Sequence, residues 1–241
     1  MQHSHSLSVV VPVYNEEANL RPLMEQIRAA LTPLGREWEA VFVDDGSTDQ
    51  SLAVLRELAD ADPRVRYLAF VANRGQSAAF VAGFAAARND LVVTMDADLQ
   101  NDPADIPALL GLFEREGLDM ACGLRAKRRD TFVKRISSKF GNAVRTRLTG
   151  KTVTDTGCSL KIMRADMARR MPPFKGMHRF FPNLMLWQGA RVAEMPVNHR
   201  PRNAGVSKYG TLDRAVQGGM DLLGVRWLRS RFIAYQIKEQ G

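Results

Sequence analysis

Apolar and polar positions alternate in blocks along the first hundred residues. Leu7-Ser8-Val9-Val10-Val11-Pro12-Val13 is almost wholly apolar, too short for a helix, and predicts a buried strand. Leu20, Leu23, Met24, Ile27 and Leu31 then recur at helical spacing, so one face of a helix is apolar. Asn15 is positioned to cap that helix, and Glu16 and Glu17 suit its positive end. A second strand is predicted at Glu39-Ala40-Val41-Phe42-Val43, followed by a helix from Leu52 to Ala59 with Ser47 or Thr48 as its cap. A third strand runs from Val65 to Val71, a small-residue helix from Ser77 to Arg88, and a fourth strand over Leu91-Val92-Val93-Thr94-Met95. Three strand–helix units in a row predict an α/β fold, Rossmann-like, with a mostly parallel central sheet flanked by helices and right-handed crossovers.

The polar residues that interrupt this pattern fall where strands end. Tyr14, Glu16, Asp45, Gly75, Asp96 and Asp98 all sit there, and open α/β sheets bind ligands at the carboxyl ends of their strands. Asp96-Ala97-Asp98-Leu99-Gln100 stands out. Two carboxylates one residue apart, with an amide carbonyl beside them, make a poor core and a good seat for a hard divalent cation that shares oxygen ligands with a phosphate. A plain turn at Asp98 is the competing reading. Together these positions predict a nucleotide-sized crevice containing a metal seat.

Eight motifs carry a resemblance. PVYNEE, VDDGSTD, NRGQSAAFVAGF and DADLQNDP are followed by GLRAKRRD (123–130), DTGCSLKI (155–162), HRFFP (178–182) and HRPRNAGVSKYG (199–210). In this order they resemble the family 2 (GT-A) glycosyltransferases, and within them the polyprenyl-phosphate and dolichyl-phosphate sugar transferases, from about Leu7 to Arg229. The resemblance implies a GT-A fold and an inverting enzyme that moves a sugar from a UDP- or GDP-sugar to a polyprenyl phosphate, such as undecaprenyl phosphate. It places the nucleotide-sugar against Pro12, Tyr14, Glu16, Val43, Asp45, Gly75, Asp96, Ala97, Arg202 and Lys208. Asp98 and Gln100 would hold Mg²⁺ or Mn²⁺ on the donor diphosphate, with Asp96 orienting the ribose or the metal shell. Arg125, Lys134 and Ser138 match acceptor-phosphate positions, with Arg128, Arg129 and Arg135 nearby. Arg200, Arg202 and Lys208 match a late basic motif that folds over the diphosphate, and Asn203 and Gly205 suggest a loop that closes on substrate. Catalysis falls to Asp98, Asp155 and Arg125. An ionised phosphate needs little deprotonation, so Asp155 is expected to position its neighbours rather than act as a base.

Charge narrows the partners. Residues 1–120 carry 9 basic and 19 acidic side chains, a net of −10, whereas 121–241 carry 25 and 7, a net of +18. So large a segregation predicts an anionic partner for the second half. No nucleic-acid-binding pattern accompanies it, which favours a membrane surface with anionic headgroups over nucleic acid. No apolar run reaches the ~18 residues a spanning helix needs. The tail, Asp221 to Ile233, interleaves leucines, Trp227 and Phe232 with arginines, as in an interfacial amphipathic helix or one that docks on the domain. The expected organisation is a catalytic domain over 1–210 and a helical extension over 211–241. Cys122 and Cys158 lack metal-ligand spacing and are expected as buried thiols; His178 stands alone beside Arg179, and no zinc site is suggested. The expected location is cytoplasmic, peripheral to the inner face of the cytoplasmic membrane, with a homo-oligomer left open. Two other classes remain: a GT-A enzyme acting on a hydroxyl of a cell-envelope glycan, and a non-catalytic basic membrane or nucleic-acid binder.

Overall fold

Strand β1 (Leu7–Val13) forms where its apolar run predicts, and it lies inside the sheet because both its faces are apolar. The computed structural model describes residues 5–125, 153–200, 211–233 and 239, and for 211–218 the backbone alone. β1 pairs in parallel with β2 (Trp38–Asp44) on one side and β4 (Leu91–Thr94) on the other, and β2 pairs in parallel with β3 (Val65–Ala69). Three further strands complete seven in the order β3-β2-β1-β4-β6-β5-β7: β5 (Met120–Arg125), β6 (Lys161–Arg164) and β7 (Val192–Val197). β6 is antiparallel to both β4 and β5, so the sheet is mostly parallel with one reversed strand.

Alternate residues of each strand face opposite layers. Val9, Val11 and Val13 point to α1 (Glu17–Leu31), α2 (Ser51–Ala61) and α4 (Ile106–Arg115). Val10, Val41 and Val92 point to α3 (Gln76–Ala86), α5 (Ala165–Arg169), α6 (Phe181–Trp187) and α7 (Thr211–Arg231). Helix α3 lies so close to β1 that a Cβ at Gly83 would come within 2.3 Å of Val10 Cγ1. The small-residue composition of α3 is what permits that contact. Phe180 and Phe181 of the HRFFP segment, and Met185 just beyond it, are buried as core.

The predicted strands and helices are present, with shifted ends. β3 stops at Ala69, and Val71 is fully exposed. The capping expectations are corrected. Asn15 does not cap α1; its backbone is left-handed, φ 57°, and Glu16 holds the cap position without a side-chain capping bond, its carboxylate accepting from Asn19 Nδ2 instead. The Asn15 side chain is used elsewhere. Its Oδ1 instead accepts from Thr48 N at 2.8 Å. Neither Ser47 nor Thr48 caps α2; Asp49 Oδ1 accepts from Ser51 N at 2.9 Å. These side chains brace one loop against its neighbour, and that demand overrides local helix capping. Cys122 and Cys158 are buried free thiols; burial raises the pKa of both, that of Cys122 to about 12.

Candidate active site

Parallel pairing brings the ends of β1, β2 and β4 to one edge, and their loops are tied together there. Asn15 N donates to Ser47 Oγ at 3.0 Å and Glu16 N to Ser51 Oγ at 2.9 Å. Asp45 is buried, and its carboxylate accepts from Arg74 N (2.6 Å), Gly75 N (2.8 Å) and Asn73 Nδ2 (3.0 Å). It thus clamps the loop before α3. Gly75 serves that loop by its φ of 90°, and a Cβ there would meet no protein atom within 4 Å. Pro12, Tyr14 and Glu16 are half-buried on this edge. Val43 is fully buried under α3 near Gly83, so the nucleotide contact expected of it is restricted to backbone.

The acidic pair follows β4. Asp98 is buried, accepts from Gln100 N at 3.2 Å, and precedes Leu99, whose φ of 60° is costly for a branched residue. Asp96 accepts from Gln76 Nε2 at 2.6 Å. Burial raises the Asp96 pKa, and the charge of Asp98 raises it further, while Ser159, Lys161 and Gln76 oppose both. Like-charge crowding of this kind is relieved by a cation. Among the described residues no three His, Cys, Asp or Glu side chains form a complete metal site. Asp96, Asp98 and the Gln100 side-chain carbonyl are hard oxygen donors at this strand end, a chemistry that would suit Mg²⁺ or Mn²⁺.

β6 brings the second half of the chain to this edge. Thr94 pairs with Lys161, and Thr94 Oγ1 donates to the Ser159 carbonyl at 2.6 Å. A cavity of about 280 Å³ opens beside Asp96, lined among others by Gln76, Phe80, Ser159, Lys161, His178 and Phe181. Lys161 is buried and donates to the Cys158 carbonyl. At the cavity's edge Arg125 and Asp155 form a bidentate pair, Nε–Oδ2 2.7 Å and Nη2–Oδ1 2.8 Å. The Asp155 hydrogen bonds raise the Arg125 pKa further. A Cβ on cavity-lining Gly157 would sit 2.9 Å from Arg125 Nη2, so the guanidinium borders the cavity.

Arg200 is corrected. Its guanidinium bonds Asp102 Oδ2 (2.5 Å) and Gln26 Oε1 (2.6 Å), and its backbone N–H donates to the Gln100 carbonyl at 2.8 Å. It anchors the strand end instead of covering a diphosphate. Lys134, Ser138, Arg128, Arg129, Arg135, Arg202, Asn203, Gly205 and Lys208 lie outside the described residues. Gln76, Ser77, Ser159, Lys161 and His178 went unselected in the sequence. A lone lysine in the apolar stretch Leu160–Met163 was the available signal, since such a charge needs a buried partner.

The family model for glycosyl transferase family 2 matches residues 8–171. The chain belongs to that family. Among curated relatives of this family 2 chain, dodecaprenyl-phosphate galacturonate synthase from Rhizobium johnstonii is 42% identical over 226 residues, 92% of this chain and 67% of that protein. Undecaprenyl-phosphate 4-deoxy-4-formamido-L-arabinose transferase from Edwardsiella ictaluri is 40% identical over 208 residues, 86% and 63%. The chain therefore spans about two thirds of the length of these relatives. Glucosyl-3-phosphoglycerate synthase from Mycobacterium tuberculosis, in complex with Mn²⁺, UDP-glucose and phosphoglyceric acid, shares the fold at TM-score 0.63 and 20% identity, covering 95% of this chain and 81% of that one.

Proposed function

We propose that this family 2 glycosyltransferase moves a sugar from a UDP- or GDP-sugar to a polyprenyl phosphate, with inversion. The observation that carries the reading is one cavity lined by Asp96, with Asp98 two positions on in the chain, and by Gly157, against which the Arg125 guanidinium packs. A sugar passing between two phosphates needs cationic charge near both, to offset their repulsion. Arg125, with Lys134 and Ser138 of the same expected set, would hold the acceptor phosphate. A phosphate oxygen attacks the anomeric carbon as the bond to the nucleoside diphosphate breaks. Mg²⁺ or Mn²⁺, when bound, neutralises charge on that leaving diphosphate. Pro12, Tyr14, Glu16, Asp45, Gly75, Ala97 and the Val43 backbone form the nucleotide side, with Arg202 and Lys208 over the diphosphate. Both Asp155 oxygens are engaged by Arg125, which makes Asp155 a positioning residue and weakens the reading with a hydroxyl acceptor, where a base is required. The names of the two relatives, one a dodecaprenyl-phosphate and one an undecaprenyl-phosphate sugar transferase, support the same acceptor class.

The test is transfer from radiolabelled UDP- and GDP-sugars, UDP-galacturonate first, with Mn²⁺, Mg²⁺ or EDTA. An organic-extractable product lost in EDTA supports the reading, and donors bound without reaching lipid refute the acceptor.

We further assign α7 and the rest of 211–241 to an extension that lies on the membrane, beside a catalytic domain over 1–210. Val225 is buried and Leu222 and Leu228 pack on the core, while Met220, Leu223 and Trp227 are 64–70% exposed along one stripe. Arg226, Arg229 and Arg231 are exposed around it. No helix among the described residues is long and apolar enough to cross a membrane. An apolar stripe set among arginines suits an anionic bilayer surface, the inner face of the cytoplasmic membrane. Leu223→Glu with Trp227→Glu is expected to weaken co-sedimentation with phosphatidylglycerol vesicles roughly tenfold. Undiminished binding contradicts the assignment.

A further inference from the structure

His178 lines the cavity beside Asp96, but the carboxylates, Arg125 and the nucleotide edge leave it without a task. Its setting is built. Ser77, in the first turn of α3, accepts from Gly176 N at 3.0 Å, and its hydroxyl lies 2.9 Å from His178 Nδ1. The direction of this bond follows the tautomer of the ring: with the Ser77 hydroxyl as donor, Nδ1 is the acceptor. In that arrangement the proton of the neutral ring is on Nε2. Among the described residues Nε2 has no hydrogen-bond partner. Burial first, then the charges of Arg179 and Lys161, lower the pKa to about 3. The ring is therefore neutral at physiological pH, with one acceptor used and one donor left. Phe80 and Phe181, with centroids 5.4 Å apart, supply an aromatic wall of the same cavity. The cavity's 280 Å³ equals roughly nine waters, room for a single sugar ring.

We propose that His178, oriented by Ser77, donates its Nε2–H to an oxygen of the transferred sugar and so determines which donor sugar the enzyme accepts. The inference rests on the glycosyltransferase reading of this site. A site built to bond a substrate oxygen discriminates strongly against an analogue lacking it, because its own polar group is then left unpaired. Gly176, with φ 91°, positions the turn that carries His178, and a Cβ there would lie 2.8 Å from Asp221 Oδ2 of α7, so neighbouring elements hold the imidazole in place.

Two amide replacements separate this role from a structural one. His178→Gln places an N–H near the position of Nε2 and gives up the bond to Ser77; His178→Asn keeps a group near Nδ1 and cannot reach the cavity. The measurement is calorimetric affinity for UDP, UDP-glucose and UDP-galacturonate with Mn²⁺, alongside thermal melting. The quantity read is the extra affinity that a sugar adds to UDP. His178→Asn is expected to remove that increment, roughly tenfold in affinity, and His178→Gln to retain most of it, with UDP binding unchanged in both. Deoxy donors lacking the contacted hydroxyl should bind wild type and His178→Asn equally. The proposal is overturned if Asn retains the increment better than Gln, if UDP affinity falls in parallel, or if wild type shows no increment. Transfer to lipid phosphate is scored separately: loss of the increment in His178→Asn, with a wild-type enzyme that shows the increment but never reaches the lipid, upholds His178 and refutes the acceptor, whereas normal transfer by His178→Asn refutes His178 alone.

Discussion

Asp98→Ala is expected to reduce sugar transfer by roughly 10³-fold while the protein remains folded. The carboxylate is buried just after β4 and accepts from the nearby Gln100 N–H, and the strained turn at Leu99 points to a conformation kept for function. Removing it takes away a ligand-type oxygen and relieves the repulsion that raises the Asp96 pKa. Stability should therefore hold or rise slightly, while Mn²⁺ ceases to strengthen UDP binding. Asp98→Asn should behave similarly, because charge rather than shape supplies the function. Calorimetric titration of UDP with and without Mn²⁺, together with initial rates, checks both. Retained metal dependence in Asp98→Ala would remove the carboxylate pair from the site.

Asp155→Ala is expected to have the second largest effect, and it acts through Arg125. Deleting one partner of a buried bidentate pair leaves the other charge uncompensated, at a cost of about 3 kcal/mol. Arg125 would lose the geometry in which it borders the cavity, so KM for the lipid phosphate should rise about 10²-fold, with the nucleotide-sugar KM little changed. Arg125→Met should give a similar loss, and the double variant should be hardly worse than either single, because the two act as a unit. A general base behaves differently. Its loss would lower kcat with little change in acceptor KM, and Asp155→Ala and Arg125→Met would then combine additively. Initial rates at varied acceptor, read as a double-mutant cycle, separate the two accounts.

The first half of the fold was legible because β1, β2 and β4 are buried on both faces and α1 carries one clean apolar stripe. β1 and β4 are apolar runs bounded by polar loops, and α1 buries the five residues its spacing predicts. The second half was less legible. β6 spans only four residues and starts with a lysine, and β7 contains a proline, so neither carries a strand pattern of its own. Their placement depends on long-range pairing, Thr94 with Lys161 and Cys122 with Glu194, which local periodicity does not encode. Asn15 misled for a related reason: its side chain serves Thr48, more than thirty residues away, and not the helix that follows it. The strand-end acids were visible because carboxylates are conspicuous at the close of an apolar run. His178 was not, since its partner Ser77 lies 101 residues earlier and only the packing of α3 on the HRFFP segment brings the two together.

The most direct test of the central claim offers the protein two acceptors of equal chain length, undecaprenyl phosphate and undecaprenol, with one radiolabelled UDP-sugar and Mn²⁺. The account predicts a mild-acid-labile product from the phosphate alone, abolished in Asp98→Ala and strongly reduced in Arg125→Met. Transfer to undecaprenol at a comparable rate, or to the phosphate undiminished in Arg125→Met, would contradict it.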